Sequence, residues 1–169
     1  MARARRRRAR LSIRRGTARD AAAICELIRG LASYERLERQ CTIAPADIRR
    51  HGFGRRPYFE TLICRRNGQA IGLALYFFTY STFLGRPTLY LEDLFVMPEA
   101  RRLGAGRAVM TWLAREAVRR GCGRLEWVVL DWNALAIDFY DRLGAARMKE
   151  WLPYRLTGDA LRALARAAT

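Results

Sequence analysis

Residues 90–106 read Tyr-Leu-Glu-Asp-Leu-Phe-Val-Met-Pro-Glu-Ala-Arg-Arg-Leu-Gly-Ala-Gly, and this stretch governs the reading of the chain around it. Leu89 to Val96 has the aromatic and aliphatic content of a strand, and Pro98 ends it. The pattern R-x-x-G-x-G follows, filled by Arg101, Gly104 and Gly106. Val109, Trp112, Leu113 and Ala117 then keep helical spacing, and Gly121 and Gly123 close that helix. Strand, glycine loop, helix is an arrangement that cradles anions. The first N–H groups of a helix lack internal partners, the helix dipole makes them more positive, and glycine lets an anion approach the backbone closely. A pyrophosphate would suit it, with Arg101, Arg102 and Arg107 adding charge-assisted contacts; taken alone, so short a glycine pattern reads equally as an ordinary tight turn. The spacing is neither that of the dinucleotide fingerprint nor that of a Walker loop.

Upstream of this stretch, Leu11 to Arg15 alternates as a strand. Thr17 with Asp20 forms an imperfect capping box, and Ile24, Leu27, Ile28 and Leu31 make one apolar helical stripe. Pro45 suits the first turn of a second helix that reaches about Gly52. Phe59 to Arg65 and Ala70 to Tyr80 are strands joined at Asn67-Gly68, a strong hairpin signal. A turn at Gly85, Arg86 and Pro87 leads into the central strand. Downstream, Leu125 to Leu130 is a strand, Asn133 opens a helix through Leu143 that Gly144 terminates, Trp151 to Leu156 is strand-like, and Thr157 caps a last short helix. The expected order is β-α-α-β-β-β-α-β-α-β: an α/β domain on a mixed, mostly antiparallel sheet flanked by helices.

The 169 residues are enough for one ordinary domain with its own core. Thirty-two basic residues oppose sixteen acidic ones, a net charge of +16, and all the basic residues except Lys149 are arginine. Residues 1–10 carry six of those arginines and no acid, so the expectation is a disordered basic tail on a domain spanning 11–169. The tail has no apolar segment of a secretory signal, and no stretch is long enough to span a membrane. Four cysteines without a CxxC pair, and a single histidine, His51, argue against a metal site and for free thiols in a reducing, cytoplasmic setting.

The run 90–106 resembles the GCN5-related N-acetyltransferase family. Val129-Leu-Asp-Trp-Asn133, Ala136-Ile-Asp-Phe-Tyr140 and the following Leu-Gly-Ala resemble its diamine (spermidine/spermine) and thialysine branch. Leu31-Ala-Ser-Tyr-Glu35, Gly52-Phe-Gly54 and Phe78-Thr-Tyr-Ser-Thr-Phe83 are similar to the same branch, so the resemblance covers about residues 11–165. It implies the family's fold and acetyl-coenzyme A as cosubstrate. The pantetheine amides would pair with the backbone of Leu94, Phe95 and Val96, and the pyrophosphate would lie on Arg101, Arg102, Leu103, Gly104, Ala105, Gly106 and Arg107. Asn133 and Ala136 would complete the coenzyme site, although Asn133 also reads as a simple N-cap.

The resemblance further implies that Tyr140 is the acid that protonates the departing thiolate, although periodicity alone makes it a core aromatic. It makes Glu92 the base, acting through water. Strand alternation puts Tyr90, Glu92, Leu94 and Val96 on one face and Leu91, Asp93 and Phe95 on the other. Glu92, Asp93 and Glu150 would bind the cationic acceptor, with salt bridges to arginine as the alternative for Glu92 and Asp93. Departures are Gly30, Ser81, Thr82 and Phe83, which replace an acid and an acid-Pro-Trp run of the polyamine form, and Arg102, which replaces a glycine. They point away from long polyamines and toward a small amine such as thialysine or a diamine, acetylated by direct attack in a ternary complex. Protein acetylation at lysine or an N-terminus, and an arginine-driven nucleic-acid-binding module, are the competing readings. A homodimer is expected by family analogy.

Overall fold

The computed structural model describes residues 11–167; the basic segment 1–10 lies outside the described residues. The chain forms two compact units, the first running to Val128 and the second starting at Val129.

The first unit is a five-stranded sheet in the order β1-β2-β3-β4-β5 with three helices. The strands are β1 (Leu11–Arg15), β2 (Glu60–Arg66), β3 (Gln69–Ser81), β4 (Arg86–Val96) and β5 (Arg124–Glu126); the helices are α1 (Ala21–Tyr34), α2 (Pro45–Phe53) and α3 (Ala105–Arg119). Neighbours β1 to β4 are antiparallel, and β5 joins β4 in parallel. Local sequence sets the element ends as expected. The Thr17 N–H and hydroxyl both donate to Asp20 Oδ2, at 2.9 and 2.8 Å, fixing the entry to α1. Asn67 (φ 51°) and Gly68 (φ 86°) take the left-handed conformations a two-residue hairpin requires.

The α1 side of the sheet holds an apolar cluster: Ala21, Ile24 and Leu27 of α1 and Ile48 of α2 pack on Ile63, Leu73 and Phe95. The α3 side is tied by charge as well as by packing. The buried Glu116 carboxylate accepts from Arg119 and Arg120 and pairs with Arg15 of β1 at 2.5 Å. Asp20 is gripped in the same way by Arg14 and Arg65. These arginines hold both carboxyls below the usual carboxylate range, Arg14 being the largest cause for Asp20 and Arg119 for Glu116.

The second unit holds α4 (Ala134–Asp141) and α5 (Gly158–Arg166). Gly144 (φ 83°) follows α4, and the Ala145 N–H donates to the Tyr140 carbonyl at 3.2 Å. Arg147 pairs with Asp141, and Arg142 with Asp138.

Four expectations need correction. The strand expected over 125–130 is only Arg124–Glu126, because its pairing to β4 stops at Tyr90. Trp151 to Leu156 is not a strand: Pro153 offers no N–H, and the segment has no ladder partner among the described residues. The turn expected at residues 85–87 sits earlier, over 82–85, so that Arg86 and Pro87 already belong to β4, Pro87 near its start. The alternation assigned to β4 breaks at Glu92. Tyr76 pairs with Leu91 and Leu75 with Asp93, leaving Glu92 as an extra residue in a β-bulge. Leu91 therefore lies with Tyr76 on the α3 side, where the Tyr76 and Trp112 rings are 6.2 Å apart, while Asp93 and Phe95 face α1.

Candidate active site

The bulge shapes the site. A bulge strengthens local twist, and from Leu91 onward β4 has no pairing with β5, which pairs only with Thr88, Leu89 and Tyr90. On its other side β4 stays paired to β3 as far as Gly72–Val96. Residues 91–96, among them Leu94, Phe95 and Val96, thus present a strand edge that no described strand covers. Such an edge pairs readily with an extended ligand carrying amides. Phe95 is buried in the α1 cluster, while Leu94 and Val96 are half-buried.

The glycine loop continues from this edge through a short 3-10 turn at Pro98–Ala100. Gly104 caps α3 with φ 82°, and nothing lies within 4 Å of where its Cβ would stand. Arg102 also has positive φ, 63°, and is exposed together with Leu103 and Gly104. Ala105 is buried and anchors the first turn; Gly106 is half-buried and Arg107 exposed. The Ala108 N–H is the one that closes on the Gly104 carbonyl, at 2.9 Å, so the three N–H groups before it are the orphan donors of the helix start. This open, glycine-capped turn fits a pyrophosphate. The Arg101 Nε donates to the Val96 carbonyl at 3.2 Å, and its guanidinium stacks on the Tyr34 ring at 4.4 Å. It braces the end of β4 against α1.

Beside the strand edge, Glu92 is exposed on the bulge and Asp93 is half-buried below it. Burial pushes the Asp93 carboxyl up to about 6, with the negative charges of Glu92 and Glu35 adding to the shift. Glu35, at the end of α1, is likewise raised by burial. Among the described residues, none of the salt bridges neutralises Glu35, Glu92 or Asp93, in a chain with twice as many basic groups as acidic ones. Among the described residues, neither Glu92 nor Asp93 forms the salt bridge of the alternative reading. Three close carboxylates without an arginine leave room for a cation from outside. Glu35 escaped the reading of the sequence as a site residue, although it ends the quoted segment Leu31 to Glu35. The missing signal was the bulge, which turns Asp93 toward α1.

In the second unit, Asn133 is the N-cap of α4 and its side-chain oxygen accepts from the Ala136 N–H at 3.2 Å. The N-cap role is therefore real, and Ala136 is its partner. Tyr140 is half-buried and its ring lies 5.3 Å from that of Phe139, on a helix with no buried residue. Glu150 is exposed in the segment between α4 and α5. Among the described residues no helix is long and apolar enough to cross a membrane.

Known proteins share this layout. The profile of the acetyltransferase (GNAT) family matches residues 24–145. A thialysine N-epsilon-acetyltransferase of Mus musculus is 38% identical over 164 residues, covering 90% of this chain and 96% of the relative. An L-ornithine N5-acetyltransferase of Arabidopsis thaliana is 47% identical over 93 residues, 55% of this chain and 41% of that one. Among solved structures, an integron cassette protein from the mobile metagenome of V. cholerae superposes with a TM-score of 0.77 at 24% identity, covering 93% of this chain and 98% of that one. An aminoglycoside acetyltransferase from a soil metagenome follows at 0.73 and 17% identity, over 87% and 97% of the two chains. The open strand edge, the glycine-capped helix and the family match lead to one conclusion: the chain belongs to the acetyltransferase (GNAT) family, in the branch that holds the thialysine enzymes, and is an acetyl-coenzyme A-dependent N-acetyltransferase.

Proposed function

We propose that this enzyme acetylates the primary amine of a small molecule, a thialysine-like amino acid or a diamine, by direct attack within a ternary complex. The observation that carries the reading is the unneutralised trio Glu35, Glu92 and Asp93 beside the open edge of β4. Relatives named for thialysine and ornithine acetylation support the acceptor class.

Acetyl-coenzyme A supplies an activated acetyl thioester. The backbone of Leu94, Phe95 and Val96 would hold its pantetheine amides. The turn from Arg102 to Arg107 would hold its pyrophosphate, with Asn133 and Ala136 contributing from α4. Asp93 and Glu35 attract the acceptor's ammonium. Glu92 takes a proton from it, through water, so that the neutral nitrogen attacks. Tyr140 gives its Oη proton to the departing sulfur. No covalent enzyme intermediate is needed, and the reaction uses no cysteine. Glu150 contributes to acceptor binding. The enzyme works in the cytoplasm as a homodimer, a proposal supported by the many large apolar side chains left exposed between Val129 and Leu164.

The test is thiol release from acetyl-coenzyme A against a panel of amino acids, diamines and polyamines. We expect turnover with thialysine, ornithine or short diamines, and little with spermine. Silence across the panel together with turnover on lysine peptides would replace this reading with protein acetylation.

A further inference from the structure

In the proposed reaction Glu35, Glu92 and Asp93 receive the acceptor's amine; the residue after Glu35 bears on the acceptor's other end. Helix α1 closes on two hydrogen bonds. The Leu37 N–H donates to the Ala32 carbonyl at 2.8 Å, and the Arg36 N–H to the Ser33 carbonyl at 3.1 Å. This pairing needs a left-handed residue at the turn, a place that glycine usually fills. Here it holds Arg36, at φ 61°. A side chain strains the backbone in that conformation, because its Cβ crowds the following carbonyl oxygen.

Helix stability does not ask for arginine at this position. A cation favours the C-terminus of a helix through the dipole. A site inside the last turn gives that benefit without strain, yet the last turn of α1 carries no basic residue. No partner explains the choice either. Arg36 is exposed, and among the described residues it takes part in none of the salt bridges, whereas Arg14, Arg15 and Arg65 are spent on carboxylates. Arg101, which lies against the end of α1, is committed to the Val96 carbonyl and the Tyr34 ring. An uncommitted guanidinium therefore adjoins Glu35, whose charge is felt at Asp93. This end of α1 offers both signs at once, carboxylates for an ammonium and a guanidinium for an anion.

We infer, building on the proposed acetylation of a small amine, that Arg36 is a specificity residue of the acceptor site, receiving the carboxylate of an amino acid whose side-chain amine is acetylated. Guanidinium and carboxylate match in two parallel charge-assisted bonds. A diamine offers Arg36 only a second ammonium, which it repels, so the same side chain favours one acceptor class and disfavours the other. The strained backbone at Arg36 is then the cost of placing a cation directly beside the acids that hold the amine.

The test compares ornithine with putrescine, which is ornithine without its carboxyl group. On the full chain, ornithine should have the higher kcat/KM. The readout is the ratio of the two values, which a change in folded fraction does not move. Arg36→Gly should lower that ratio about 10 to 10²-fold. The loss should fall chiefly on KM for ornithine, because the carboxylate is remote from the reacting nitrogen, while putrescine is acetylated as well as before or better. Glycine is at ease with positive φ, so this variant should melt no lower than the wild type. Arg36→Lys should keep part of the preference. Arg39→Ala, at an exposed arginine nearby in sequence, should keep all of it. A wild type without preference for ornithine overturns the proposal. So does a ratio unchanged in Arg36→Gly, or a preference lost in Arg39→Ala instead. Turnover of both amines without preference leaves the proposed function standing; silence on both, with turnover of lysine peptides, overturns the two together.

Discussion

The two halves of β4 differ in what surrounds them. From Thr88 to Tyr90 the strand has β3 on one side and β5 on the other, and Thr88, Leu89 and Leu91 are fully buried or nearly so. From Glu92 to Val96 it keeps β3 but has lost β5, and it carries two carboxylates that, among the described residues, form no salt bridge. One residue separates these regimes, the bulged Glu92. The first half contributes to stability as any sheet interior does. The second half is left with unmet backbone and electrostatic demands, and those are what a coenzyme amide chain and an amine can meet.

The comparison can be broken at several points. The largest effect is expected for Glu92→Gln, which should cut turnover by about 10² to 10⁴-fold while the melting temperature stays put; a stability loss with preserved turnover would make Glu92 a structural residue. Leu89→Ala, in the other half, should do the opposite. It should cost about 2–5 kcal/mol of stability in denaturant titration, with the folded fraction still turning over normally.

Asp93→Asn tests the raised carboxyl. With a folded pKa of about 6 against an ordinary 3.8, the native state holds an extra proton between those values. Stability from this group therefore falls as pH rises from about 4 to about 6, and the Asn variant should lack that part of the slope. The charged form is what attracts the acceptor. The wild-type KM for the amine should thus rise as pH drops through about 6, by roughly tenfold for one lost charged contact, and the variant should show a flat limb there. The smallest effect belongs to Leu94→Ala. If the coenzyme reads the backbone, trimming this half-buried side chain should change KM for acetyl-coenzyme A by no more than about twofold.

Much of the first unit was legible in the sequence because its signals are local. Thr17 with Asp20, Asn67-Gly68 and the α1 stripe each need only a few neighbouring residues to declare themselves, and each appears in the structure. The glycine loop was legible for the same reason. What escaped depends on partners far along the chain. Alternation cannot reveal a bulge, because the bulge is defined by the register against β3, and with it went the face of Leu91 and the role of Glu35. The contact of Arg101 with Tyr34 was not legible either, because Tyr34 lies 67 positions away in sequence. The stretch Trp151 to Leu156 has strand-like composition, yet a strand exists only where another backbone accepts its hydrogen bonds.

The salt bridges of this protein have a consequence of a different kind. Among the described residues each one uses arginine, and the chain's single lysine is Lys149. A guanidinium remains protonated throughout the physiological range and does not act as a nucleophile toward a thioester, whereas a lysine amine does when it sheds its proton. The charges that clamp Asp20 and Glu116 are therefore chemically inert to the enzyme's own acyl donor. A lysine clamp in the same places would be neutralised, one bridge at a time, by the working solution the catalyst lives in; the arginine clamp ages independently of turnover.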